Sequence, residues 1–173
     1  GLNGSGLSFP NFANPSFEKG STCGASDKLE NPAGYCTEWS NGNVTSYQIG
    51  RSNAAALDGT MSLRLHFGAC ATVPCGGSAF PGIYVLSAEA TKTPAKSWAV
   101  TRLWARYSGT DHAAQAVLID NATVNVDEVS FLKGNVFREY VLIGQTNTGK
   151  LTLRGQVIAP KDTNTDTYID LLH

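Results

Sequence analysis

At 173 residues the chain fits one domain with room for a real hydrophobic core, and a net charge of −1 gives no field that would draw it to nucleic acid or a membrane surface. No apolar run approaches the roughly 20 residues that cross a bilayer as a helix. Eighteen glycines, abundant serine and threonine and a single methionine suit a β-rich chain with many turns.

The opening "GLNGSG", residues 1–6, reads as a processed end, a tag remnant or a flexible terminus and is set aside, leaving 1–173 as one domain. The turn-rich "NPSFEKG" (Asn14 to Gly20) follows, then "CTEWSNG". Strand candidates come next at 44–49 and in "SLRLHF", where Leu63, Leu65 and Phe67 face one way and Ser62, Arg64 and His66 the other. Further candidates are 81–87, 97–107, 114–119, 122–126 and 136–143. In "KLTLRGQVI" Leu151, Leu153 and Val157 alternate with Thr152, Arg154 and Gln156, and 167–172 closes the series. The stretch 85–95 could hold one helical turn, which Thr91, Thr93 and Pro94 would end. Gly, Asn, Asp and Pro clusters separate the candidates, with no internal repeat or linker. Eight or more short strands in one domain predict an all-β fold, a sandwich or a barrel.

Four cysteines fall as two close pairs, Cys23 with Cys36 and Cys70 with Cys75. The local pairing is the simplest of the three connectivities. Zinc is disfavoured because neither pair has C-x2-C spacing and His66 is the nearest imidazole. Two disulfides would put the protein in an oxidising, extracellular compartment. The sequons at Asn43 and Asn121, with Asn3 if native, agree with a secreted glycoprotein.

Taken in order, "NPSFEKG", the Trp of "EWSNG", "ALDGTMSLRL", "LWAR" (Leu103 to Arg106) and the final "YIDLL" resemble the carbohydrate-binding modules of families four, nine, sixteen and twenty-two. Those are galactose-binding-domain-like jelly rolls appended to glycanases, and the resemblance covers essentially the whole chain. It implies a jelly-roll β-sandwich of two antiparallel sheets. It also implies a structural Ca²⁺ that ties the first strand to the last, with Glu18 and Asp170 as ligands and carbonyls from the turn after Glu18 and the Asp58-Gly59 region. The chemistry is sound, since Ca²⁺ takes six to eight oxygens in irregular geometry. An aspartate between Ile169 and Leu171 would otherwise be a poorly explained charge at a sheet edge. Solvated or salt-bridged carboxylates are the alternative. "DTNTD" (Asp162 to Asp166) imitates half an EF-hand loop but lacks its later glycine and glutamate, so it reads as a solvated turn.

No G-x-S-x-G, H-E-x-x-H or phosphate-binding loop occurs, and nothing pairs Glu89, Asp120, Glu128 and Glu139 as glycosidase carboxylates. A jelly-roll polysaccharide lyase is the enzymatic rival, though the strand motifs of an alginate-lyase type are missing. Sugars bind flat aromatic rings with planar polar groups beside them. In "SWAVTRLWARY" an inward set of Ala99, Thr101, Leu103 and Ala105 leaves Arg102, Trp104 and Arg106 outward. Arg64, His66, Arg154 and Gln156 would extend that face. Trp98 and Val100 share the parity of Trp104, which leaves a core role for that ring open. Trp39, Tyr35 and Tyr47 sit in or beside turns and could form a second, loop-borne site, although Trp39 matches a packing position of the resembled families. Four arginines point to an acidic polysaccharide, whose carboxylates match guanidinium forks. The expectation is a non-catalytic polysaccharide-binding module, monomeric, within a larger secreted enzyme or surface protein. An adhesion or structural domain without glycan affinity is the other alternative.

Overall fold

The computed structural model describes residues 12, 15–19, 35–37, 47–67, 83–89, 94–108, 114–121, 123–157 and 165–173; of 35–37, 47–49, 67, 83–89, 156 and 157 it describes the backbone alone. Every regular element among them is a strand: β1 (Tyr35–Thr37), β2 (Tyr47–Ser52), β3 (Ser62–Phe67), β4 (Ile83–Glu89), β5 (Ser97–Ser108), β6 (Ala114–Asp120), β7 (Val124–Ser130), β8 (Gly134–Thr146), β9 (Leu151–Val157) and β10 (Thr165–Asp170). They form two five-stranded sheets in the orders β1-β4-β9-β6-β7 and β2-β3-β10-β5-β8, with antiparallel pairing throughout. This is the expected jelly-roll sandwich. The helical turn considered for 85–95 gives way to β4, which runs to Glu89. Cys23, Cys70, Cys75, Trp39, Asn43, Asn3 and the first half of "DTNTD" lie outside the described residues.

The period-two patterns fold as they read. Leu63 and Leu65 of β3, Leu103, Ala105 and Tyr107 of β5, Leu142 of β8 and Ile169 of β10 face Ala116, Leu118, Leu151 and Leu153 of the first sheet, all buried. Burying each of the leucine and isoleucine side chains contributes about 1.5–3 kcal/mol. The sheets meet closely at Gly155, where a Cβ would lie 3.3 Å from Leu65. Along one side β7 lies against β8. The Asp127 carboxylate accepts the Ile143 N–H at 2.8 Å, and a Cβ on Gly144 would collide with Val126. An edge that would otherwise offer free amides is thereby partly covered.

Two placements differ from expectation. The last strand is not an edge: β10 lies in the middle of its sheet, between β3 and β5. Asp166 is not in a solvated turn, because pairing with His66 and Ser108 draws it into β10.

Candidate functional site

Near the chain's two ends, three elements converge on the loop 53–61. Phe17 is fully buried with φ of 56°, and Arg51 donates from Nε to the Phe17 carbonyl at 2.7 Å and from Nη2 to that of Glu18 at 2.8 Å. The Leu172 amide donates to the Pro15 carbonyl at 2.9 Å. Glu18 Oε1 accepts the amides of Thr60 (3.0 Å) and Met61 (2.9 Å), and the Thr60 hydroxyl donates to Oε2 at 3.2 Å. These bonds, led by the Met61 amide, hold the Glu18 carboxyl below its usual range. Gly59, at φ of 63°, lets the loop pass where any Cβ would fall onto Glu18 Oε1.

Asp170 reaches the same loop from the other side. Its Oδ2 accepts Leu57 N–H at 2.8 Å and Asp58 N–H at 2.9 Å, while Oδ1 accepts Leu171 N–H at 2.8 Å. It is 0% exposed, and burial, with Asp58 adding repulsion, pushes its carboxyl above the ordinary carboxylate range. Glu18 and Asp170 therefore both reach the loop that carries Asp58, which takes part through its backbone amide. The connection made by the protein itself runs through backbone amides.

The second cluster lies on the outer face of the β2-β3-β10-β5-β8 sheet. Leu103 and Ala105 are buried, so Arg102, Trp104 and Arg106 point outward, and Trp104 is partly exposed rather than part of the core. Register aligns Arg64, Tyr168 and Arg106 in one row across β3, β10 and β5. Both guanidinium carbons lie 5.8 Å from the Tyr168 ring centroid, within cation–π range. In the next row Asp166 Oδ1 accepts from Arg64 Nε at 2.9 Å and Nη2 at 2.8 Å, and stands 2.9 Å from His66 Nδ1. Arg102 approaches Glu139 at 3.8 Å, an exposed pair of little energetic weight. No described carboxylate comes within ion-pair distance of Arg106.

Of the sequence-predicted sugar residues, Arg64, His66, Arg102, Trp104 and Arg106 share this face. Arg154 and Gln156 do not, since β9 belongs to the opposite sheet. Tyr168, Asp166 and Glu139 also stand on this face; Asp166 was expected in a solvated turn and Glu139 as an unpaired carboxylate. The alternation in "TDTYID" was the available signal for the first two, because it sets Asp166, Tyr168 and Asp170 on one side of β10.

No family model matches the chain, and no curated protein matches it by sequence. Solved structures do. A putative sugar-binding protein from Bacteroides thetaiotaomicron superposes with a TM-score of 0.61 at 8% identity, covering 95% of this chain and 98% of its own. The carbohydrate-binding module TmCBM61, solved in complex with β-1,4-galactotriose, gives 0.58 at 14% identity over 96% and 97% of the two chains. The enzymatically active domain of bacteriophage CBA120 tailspike protein 4 gives 0.53 at 15% identity over 81% of this chain, which spans only 19% of that one. At these identities the likeness is one of fold, and the fold is the jelly-roll β-sandwich found in carbohydrate-binding modules.

Proposed function

We propose that the chain is a non-catalytic carbohydrate-binding module that holds a polysaccharide on the outer face of the β2-β3-β10-β5-β8 sheet. The observation that carries this reading is the row Arg64–Tyr168–Arg106 with Trp104 beside it. Aromatic surface and planar polar groups stand together on an open face. That combination suits the apolar faces and hydroxyls of pyranoses. The charge balance favours an acidic polymer, because Asp166 and Glu139 answer Arg64 and Arg102 while Arg106 meets no described carboxylate. The likeness in fold to sugar-binding modules agrees with the role. A broad glycan array tests it: binding to uronic-acid polymers that weakens with salt is expected, and a blank array would leave an adhesion or structural domain. Incubation with alginate, pectin and xylan tests the lyase alternative. A sustained rise in the near-ultraviolet absorbance of unsaturated uronates would replace the binding role with catalysis.

The same reading includes a structural Ca²⁺ at the Glu18–Asp170 junction. Among the described residues no three acidic, His or Cys side chains are grouped as a metal centre, so the support is the unbalanced charge at Asp170. Asp170 is fully buried beside a second acidic residue, and among the described residues no Lys, Arg or His reaches ion-pair distance of it. A buried charge without a counter-charge is costly, and a bound cation would relieve it. Glu18 Oε2 accepts the Thr60 hydroxyl at 3.2 Å, which leaves it further lone-pair capacity. Chelator should lower the melting temperature and added Ca²⁺ restore it, with Glu18→Gln combined with Asp170→Asn abolishing the response. An unchanged melting curve in protein shown to be metal-free would remove the ion. Secretion and the disulfides Cys23–Cys36 and Cys70–Cys75 complete the proposal, checked by mass spectrometry with and without reductant.

A further inference from the structure

We infer that the sugar site continues along β5 to Trp98 and takes an extended internal stretch of polysaccharide rather than a chain end or a single sugar; this deepens the sheet-face reading and rests on it. Trp98 is 71% exposed at the start of β5, on the same face as Trp104. Large rings are seldom left so open on a strand without a partner, and exposed apolar surface of this kind marks a contact surface.

The cross-strand register says what kind of contact. Trp98 pairs with Gln145 of β8, and Trp104 pairs with Glu139 of the same strand. Each ring therefore has a planar hydrogen-bonding group as its immediate neighbour, and Gln145 and Glu139 are both exposed. A ring for the apolar face of a pyranose beside an amide or carboxylate for its hydroxyls is a complete sugar-binding unit. The chain builds that unit twice on one pair of strands. Between the two, Val100 (54% exposed) pairs with Ile143 (53%) and Arg102 pairs with Val141, giving an apolar floor on which one outward guanidinium stands ready for a ligand hydroxyl or carboxylate. Six residues of strand at about 3.3 Å each set the two rings about 20 Å apart, the span of about four pyranose units. A ligand touching both must be a chain that runs parallel to β5.

The test is calorimetric titration of the whole domain with oligogalacturonates from dimer to octamer, with xylo-oligosaccharides as the neutral series. Affinity should climb with length and level off at about five units, the count that covers both rings. Trp98→Ala should weaken octamer binding on the order of tenfold, as loss of one stacking ring predicts, while leaving the melting temperature unchanged. Trp98→Phe should recover most of the octamer affinity. Octamer binding unaffected by Trp98→Ala but lost in Trp104→Ala would overturn the extension while keeping the sheet-face reading. Absence of binding in both series, with Trp98→Ala altering sedimentation instead, would overturn both and make the strip a protein contact.

Discussion

Tyr168 and Asp170 are two residues apart on one strand and point to the same side of it, yet their surroundings are opposite. Tyr168 lies on an open face between two guanidinium groups, whereas Asp170 is sealed under the loop 53–61 with its oxygens taken by backbone amides. Alternation along the strand set the side, and a distant loop decided the environment. The difference separates a part of the molecule that holds the chain together from a part free to meet a ligand. A third carboxylate sharpens the contrast. Asp120, 3% exposed at the end of β6, accepts from the Thr148 hydroxyl (2.6 Å), the Thr146 hydroxyl (2.8 Å) and the Asn147 amide (2.8 Å), and these donors, Thr148 first, hold its carboxyl below the usual range despite burial. At Asp170 burial outweighs three amides; at Asp120 two hydroxyls and an amide outweigh burial.

The largest effect should come from the sealed side. Asp170→Ala leaves the amides of Leu57, Asp58 and Leu171 without their acceptor, and at about 1–3 kcal/mol per buried unsatisfied group the loss should be on the order of 3 kcal/mol or more in denaturant titrations. A loss under about 0.5 kcal/mol, the range of surface substitutions, would mean that the loop does not depend on Asp170. Gly59→Ala comes next. Its left-handed backbone and the collision with Glu18 should cost about 1–2 kcal/mol, seen as a fall in melting temperature that Gly59→Asn, tolerant of positive φ, lessens only in part.

Asp120→Asn should cost about 1–3 kcal/mol at neutral pH. A carboxyl held below its ordinary value contributes stability that is fully present above the unfolded pKa, near 3.9, and is lost as pH falls through the lower folded value. The gap between wild type and Asp120→Asn should therefore close as pH drops below about 4. A gap that stayed constant with pH would assign the loss to packing.

How much of this was legible follows the same division. The inward residues of β3, β5 and β9 could be read from alternation, which is local. The position of β10 between β3 and β5 could not, because strand order is settled by long-range pairing. For the same reason Arg154, whose parity matched the sugar face, stands on the opposite sheet from Trp104. Tyr168 escaped notice because its two arginines lie about 60 and 100 residues away in the sequence, on strands whose adjacency no local pattern encodes. The junction of Glu18, Asp58 and Asp170 was reached through the resemblance, since no spacing rule connects the two ends of a chain.

The smallest effect on stability should accompany the largest on function. Trp104→Ala removes an outward ring, so its melting temperature should stay close to wild type, whereas a core Trp cut to Ala would cost about 3–5 kcal/mol. Affinity electrophoresis through a gel containing polygalacturonate, run with wild type and folded Trp104→Ala side by side, tests the central claim most directly. Wild type should be retarded and the variant should migrate as in a gel without polymer. Equal retardation of the two proteins, or free migration of both in every acidic and neutral glycan tried, would contradict a sugar site on this face.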